Sequence, residues 1–354
     1  MKGMILAAGL GERMLPLTHI LPKPLIPVAN IPSIEYSINL LKNNGIKEII
    51  INTHYKTKDL IDYFQNRALA GIDIQFSHEE ILLGTAGGIK RAEKFLKGDT
   101  FIVVNSDIVI DINLNEVVEF HKKKGALVTM VLREDKNVEK YGIIGIDSEN
   151  RVKRFLNKGT SAFKSLKNMM FTGIQIFEQE IFDELPPVRP CSISEEIYPG
   201  LISRGYPVFG YLTMNYWMDM GTHRRYLEVN HDMLQNKYPS FERMAEARGI
   251  SLNLVNKFTN KDINIIPPVI IDEPSVIKEG CDIGPSVVLG KNSILDQGVV
   301  IRESVVWENV YVSENAEISN SIIGLNMKVE KESKIKEKIA IKKDNKIQLY
   351  PINE

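Results

Sequence analysis

Only two cysteines, Cys191 and Cys281, occur in 354 residues. That is too few for a disulfide framework and points to a reducing, cytoplasmic setting. No apolar run approaches the about 18 residues that a membrane-spanning helix needs, so no membrane partner is expected. The N-terminal stretch MKGMILAAGLGERM has a single lysine, an apolar run too short for a secretory leader and no small-residue cleavage site. An excess of one charge sign is also missing: 44 Lys and Arg against 45 Asp and Glu give a net charge of −1. Nothing in that balance draws the chain to nucleic acid. Paired metal-ligand histidines are absent as well. The six histidines stand at 19, 54, 78, 121, 223 and 231, and His78-Glu79-Glu80 has Leu82 where a zinc-protease motif needs a second histidine.

What is present is ordinary globular material, 44% hydrophobic and 25% charged, long enough for two domains. The first two-thirds alternates short apolar runs with amphipathic helices. Strands are expected at Met4–Ala8, Glu48–Asn52, Ile72–Ser77, Phe101–Asn105, Ala126–Leu132, Tyr141–Ile146, Phe171–Phe177 and Val208–Leu212. Helices fall at Ile34–Asn43, Lys58–Gln65, Thr85–Phe95 and Glu195–Arg204. This is the pattern of βαβ units and a mainly parallel sheet.

After about residue 235 the character changes. Lys237–Pro267 reads as a connector with one charged helix, and a six-residue period then takes over. Ile271, Ile277, Ile283, Leu289, Leu295, Ile301 and Trp307 form one row. Small or β-branched residues follow four positions later at Ser275, Val287, Ser293, Val299 and Val305. The spacing slips near Val312 and Ile323 and resumes at Val329 and Ile335. Coils of this period bury an inward aliphatic only by stacking, which predicts a parallel β-helix in preference to a β-sandwich. No histidine follows His231, so the acyl transfer that many such solenoids perform with a histidine base is not expected here. Oligomerisation or regulation is the expected role.

The chemistry is concentrated near the N-terminus. Leu6-Ala7-Ala8-Gly9-Leu10-Gly11-Glu12-Arg13 follows the first strand directly. A glycine turn there can offer backbone N–H groups to phosphate oxygens. Taken alone it reads better as a plain tight turn, and a dinucleotide fingerprint would need glycine where Met14 stands. Pro16-Leu17-Thr18 and Pro22-Lys23-Pro24-Leu25 continue the loop, its prolines restricting its shape and bringing Arg13 and Lys23 into one flap. Two cations there suit the approach of two anionic phosphates.

The run LAAGLGERM-x-PLT-xxx-PKPL resembles the signature of the sugar nucleotidylyltransferases. Further resemblances follow in order over about residues 1–235: Leu83-Gly84-Thr85-Ala86-Gly87 to the base-recognition turn and Asn105-Ser106-Asp107 to a metal-binding strand end. Tyr141-Gly142 resembles the sugar-contacting turn, and Trp217-Met218-Asp219-Met220-Gly221-Thr222 a second metal motif. The resemblance implies a Rossmann-like (GT-A type) mixed α/β sheet domain over 1–235, a connector over 236–266, a left-handed parallel β-helix of hexapeptide repeats over 267–341 and a tail over 342–354. It implies Mg2+ held by Asp107 and Asp219, whose carboxylates suit a hard cation. An alternative for Asp107 is a cap on the next segment.

Arg13 and Lys23 would join Asp107 and Asp219 as catalytic residues. Leu6, Ala7, Ala8, Gly9, Gly11, Glu79, Gly84 and Thr85 would bind an NTP, and Gly142, Asn157, Lys158, Thr172 and Gly173 a sugar 1-phosphate. Several positions depart from the family pattern. Asn157-Lys158-Gly159 stands where relatives have Glu-Lys-Pro, Thr172 where many have Asn, and Leu15 where arginine is frequent. Glu79 occupies the place of a base-reading glutamine. A carboxylate there can accept from two guanine N–H groups, which leans towards GTP, unless Glu79 is a solvated loop charge. The expectation is GTP plus mannose 1-phosphate giving GDP-mannose and pyrophosphate, in a homo-oligomer. The alternatives are a uridylyl- or thymidylyltransferase acting on a hexose 1-phosphate such as glucose 1-phosphate, and a non-catalytic regulatory subunit.

Overall fold

A computed structural model of the chain describes residues 1–65, 67, 71–136, 138–156, 166–250, 262–344 and 346–354, together with the backbone of 158 and 159. Its contacts group into two compact units. The first comprises Met1–Leu10 and Ile34–Trp217, the second Gly11–Ser33 and Met218–Glu354.

The first unit is built on one mixed sheet. Its strands are β1 (Lys2–Leu6), β2 (Glu48–Thr53), β3 (Asp73–His78), β4 (Phe101–Asn105), β5 (Val128–Arg133), β6 (Ile144–Ile146), β7 (Val152–Phe155), β8 (Lys158–Gly159), β9 (Lys167–Phe177) and β10 (Val208–Leu212). They lie in the order β8-β7-β6-β9-β4-β1-β2-β3, with β5 joining β9 to β10. Strands β4, β1, β2 and β3 run parallel. In the middle of this block Met4, Ile5, Ile49, Ile51 and Phe101–Val104 are fully enclosed. That is why these strands read as unbroken apolar runs, with no alternation.

The parallel block matches the expected βαβ pattern, whereas β9 runs antiparallel to β4, β5 and β6. Opposite β5, strand β9 is irregular: Phe171 pairs with Leu132 and Gln175 with Met130. Two extra residues are therefore bulged between them, centred on Gly173 at φ +92°.

The second unit is dominated by the solenoid. Three sheets of short strands stack in parallel, starting at Asn264–Ile265, Val269–Ile271 and Val276–Ile277. Val269 pairs with Val287, eighteen residues on, but Val288 pairs with Val305 and Val305 with Ile322, seventeen on. The inward row is accordingly Ile271, Ile277, Ile283, Leu289, Leu295, Ile301, then Val306, Val312, Ile318, Ile323, Val329, Ile335 and Ala340. One five-residue step per coil accounts for the slips seen in the sequence. It also corrects one assignment: the row expected to end at Trp307 turns inward at Val306, and Trp307 lies on the outer face.

At the far end Lys346–Pro351 pairs antiparallel with Lys338–Lys343 and reverses the chain. The same unit contains helix His223–Leu234, the charged helix Ser240–Ala247 of the connector, and the hairpin Pro27–Val28/Ile31–Pro32.

Candidate active site

In the first unit the expected nucleotide-binding residues gather at the carboxyl ends of the parallel strands, where open α/β sheets bind ligands. Beyond β1, Ala7 and Ala8 are buried while Gly9 is exposed, and a Cβ at Gly9 would meet nothing. The Ala7 N–H donates to Asn52 Oδ1 (2.8 Å), and Asn52 Nδ2 donates to Glu79 Oε1 (2.7 Å). The Leu83 N–H donates to Glu79 Oε2 (2.9 Å). Glu79 is 0% exposed, so it is not a solvated loop charge. Its carboxylate offers no surface to a base either. The expectation that it accepts guanine protons directly is revised: both oxygens are engaged in tying β1, β2 and β3 to the Leu83 turn.

Gly84 has φ +67°, and a Cβ there would lie 2.7 Å from the Cys191 carbonyl oxygen, so only glycine fits. That carbonyl accepts the Ala86 N–H (3.0 Å), Thr85 Oγ1 accepts the Ile193 N–H (2.9 Å), and the Cys191 N–H donates to the Leu83 carbonyl (2.9 Å). Asn52 and the Cys191–Ile193 segment were not expected in the site. Asn52 carried a legible signal, a polar residue closing an apolar strand at its carboxyl end; Cys191 carried none.

Asp107 lies just past β4, half-buried. Its motif meets the β9 bulge, because a Cβ at Gly173 would stand 2.9 Å from Asn105 Nδ2. The Ser106 N–H donates to the Leu6 carbonyl (3.1 Å), joining this turn to β1. Thr172, expected to face the sugar, is 1% exposed, and its hydroxyl donates to the Val131 carbonyl (2.9 Å). Its own carbonyl accepts Trp217 Nε1–H (2.7 Å), so it props the bulge from inside. Gly142 has φ +89° beside Tyr141, whose ring packs edge-on against Trp217 at 5.7 Å. Asn157 lies outside the described residues, as does the Lys158 side chain.

The second unit carries Arg13, Lys23 and Asp219. Gly11 has φ +67°, and a Cβ there would press on Thr18 Cγ2 (2.8 Å) and Lys23 Cβ (3.1 Å), so the turn closes tightly onto the lysine. The Met14 N–H donates to the Gly11 carbonyl (2.9 Å), and Thr18 Oγ1 donates to it at 3.2 Å. Ser33 Oγ fastens the other end by donating to the Pro24 carbonyl (3.1 Å). Asp219 forms an ion pair with Arg225, whose Nε also donates to the Asp219 carbonyl (3.3 Å). A Cβ at Gly221 would fall 2.6 Å from Asp219 Oδ2 and 3.1 Å from Arg13 Nη1. Arg13 and Asp219, far apart in sequence, thus border the same small space, which glycine keeps open.

A glycine turn at strand ends and a cationic loop beside a carboxylate are the parts expected of a nucleotidyl-transfer enzyme. The family profile described as "Nucleotidyl transferase" matches residues 2–236, and "GMPPB C-terminal domain" matches residues 265–349. The UTP–glucose-1-phosphate uridylyltransferase of Synechocystis sp. is 31% identical, over 81% of this chain and 78% of that protein. The mannose-1-phosphate guanylyltransferase of Mycobacterium tuberculosis is 29% identical, over 80% and 76%. Crystalline HddC from Yersinia pseudotuberculosis, complexed with GMP-PN, shares the fold at a TM-score of 0.56 and 24% identity, over 66% of this chain and 99% of its own. The chain belongs to the sugar-1-phosphate nucleotidyltransferase family.

Enzymes of this family work with a divalent metal. Among the described residues no three His, Cys, Asp or Glu side chains form a ready-made cluster. The donors that the sequence nominates, Asp107 and Asp219, are hard oxygen ligands. Carboxylate oxygens of this kind suit a hard divalent cation. No helix among the described residues is long and apolar enough to cross a membrane.

Proposed function

We propose that the protein transfers guanylyl from GTP to mannose 1-phosphate, forming GDP-mannose and releasing pyrophosphate. The supporting observation is the paired resemblance: a relative named for that activity aligns along most of both chains, and the solenoid matches the "GMPPB C-terminal domain" profile. The Glu79 carboxylate no longer contributes to this reading, because it is enclosed. A second reading, uridylyl transfer to glucose 1-phosphate, is favoured by the Synechocystis relative at comparable identity and coverage.

A phosphate oxygen of the sugar phosphate attacks the α-phosphorus of the nucleotide. The new P–O bond forms as the bond to the β-phosphate oxygen breaks, and pyrophosphate carries away the electron pair. No covalent intermediate on the protein is needed, so the chain's task is positioning and charge neutralisation. The open backbone at Gly9 receives phosphate oxygens, Arg13 stabilises the charge gathering on the leaving pyrophosphate, and Lys23 contacts the phosphates near the reacting atom. A divalent cation held by Asp107 and Asp219 would neutralise phosphate charge. A pyrophosphate-release screen of the common NTPs against a panel of sugar 1-phosphates tests the proposal. GTP with mannose 1-phosphate should exceed every other pair, and a maximum at UTP with glucose 1-phosphate would replace it with the second reading.

A further inference from the structure

The outer face of one solenoid sheet touches the signature segment at three successive coils. On the first, the Leu289 carbonyl accepts Asn30 Nδ2–H (3.0 Å). On the second, Trp307, turned outward by the five-residue step and only 1% exposed, donates its Nε1–H to the Tyr226 hydroxyl (2.9 Å). That hydroxyl donates onward to the Pro27 carbonyl (2.7 Å). On the third, Gly324 makes room for Ile20, since a Cβ there would stand 2.8 Å from Ile20 Cδ1. Helix His223–Leu234 adds a further tie: Asn230 Oδ1 accepts the Ala29 N–H (2.7 Å), and Asn230 Nδ2 donates to the Tyr226 carbonyl (2.7 Å). Residues 20, 27, 29 and 30 belong to the segment that also carries Arg13 and Lys23. That whole segment, Gly11–Ser33, belongs to the same compact unit as the solenoid.

We infer that the solenoid is a working part of the nucleotidyl-transfer machinery, with Tyr226 and Trp307 as positioning residues for the Arg13–Lys23 loop. The chemistry of the clasp supports this. A buried tryptophan N–H and a buried tyrosine O–H each need a partner. Trp307 donates to the Tyr226 hydroxyl and that hydroxyl donates to the Pro27 backbone, so the orientation of each ring is linked to the place of the hairpin Pro27–Pro32. Gly290 and Gly324 occupy the positions equivalent to Trp307 on the neighbouring coils, as the pairings of Leu289 with Val306 and Val306 with Ile323 require. On the coils beyond these, Asp272 and Ile341 hold the equivalent place, so Trp307 is the one aromatic ring of this row among the described residues.

This inference rests on the proposed reaction for its kinetic readout but has an independent structural one. Tyr226→Phe keeps the ring and deletes both hydrogen bonds; Trp307→Phe deletes the donor; Ile20→Ala empties the third seat. In the full-length protein, amide hydrogen exchange over residues 11–33 should accelerate by about tenfold in Tyr226→Phe and Trp307→Phe, the loss of one to two neutral hydrogen bonds. Amides of β1, β2 and β4 should exchange unchanged. In pyrophosphate release, KM for the NTP should rise by about tenfold with KM for the sugar phosphate within about twofold of wild type. Unchanged exchange over 11–33 in all three variants would overturn the inference. So would a loss of melting temperature with both KM values unmoved, which is the mark of a merely structural contact. Should Tyr226→Phe fail to fold, Ile20→Ala carries the same exchange test. A wild type inactive with every substrate pair would refute the proposed function and leave the exchange result to decide the brace.

Discussion

The two compact units hold their turns of the proposed phosphate site in opposite ways. The first uses an internal polar network: Ala7, Asn52, Glu79 and Leu83 share hydrogen bonds out of contact with water, so the strand ends are locked from within. The second takes a loop with little secondary structure of its own and fastens it from outside, onto helix His223–Leu234 and the solenoid face. An enclosed network fixes its members to one geometry. A loop seated on a neighbouring surface can shift as a piece. Arg13, Lys23 and Asp219 stand on the second kind of support, Asp107 and the strand-end backbone on the first.

The largest expected effect tests whether the two supports serve one reaction. Asp107 belongs to the first unit and Asp219 to the second, and alanine at either should lower pyrophosphate release by at least about a thousandfold. The melting curves should stay close to wild type. A variant retaining more than a tenth of the activity would remove that residue from the metal site.

The next effect separates an enclosed anchor from a base reader. Glu79→Gln replaces one acceptor oxygen with an NH2 that must face either the Asn52 amide or the Leu83 N–H. An unmet buried donor should cost about 1–3 kcal/mol, visible in urea unfolding. Activity should fall alike with every NTP. A changed preference for GTP at unchanged stability would restore Glu79 as the base reader. Gly173→Ala is expected to act similarly but more weakly, at about 1–2 kcal/mol, because a Cβ at positive φ meets Asn105. Unfolding midpoints check it.

The smallest effect compares the units by pH. Burial pushes His121 in the first unit and His223 and His231 in the second below the usual imidazole range, the Glu178 carboxylate beside His121 opposing the shift only in part. With the folded pKa depressed, the unfolded chain binds more protons, so stability is complete above about pH 6.5 and declines as pH falls through that value. The second unit has two such groups against one. Hydrogen-exchange protection of the solenoid strands should therefore decline more steeply between pH 7 and pH 5.5 than that of β1 and β4.

Much of this architecture was legible in the residues. Phe101–Asn105 and Val208–Leu212 have the bounds expected of them, because apolar runs with sharp polar ends leave little choice. The hexapeptide row was visible, since stacking demands the same residue type at every turn. Its phase beyond Ile301 was not. Trp307 and Val306 are both apolar, and only the pairing of Val288 with Val305 shows which one faces in. Within the site, motifs located the turns but not the burial of their side chains. Glu79 and Thr172 occupy positions where an exposed polar residue was expected, and each instead satisfies backbone groups that no local pattern announces.

The final strand, Lys346–Pro351, has a consequence for how such a molecule can grow. Each rung of the solenoid presents parallel polarity to the next, so a duplicated coil could in principle be spliced in anywhere along the stack. A strand running the other way offers a further parallel rung the wrong hydrogen-bond register. Its lysine and proline further discourage edge pairing. The reversal acts as a stop codon in three dimensions for one of the three sheets: on that face a further coil meets an antiparallel edge where stacking needs a parallel one.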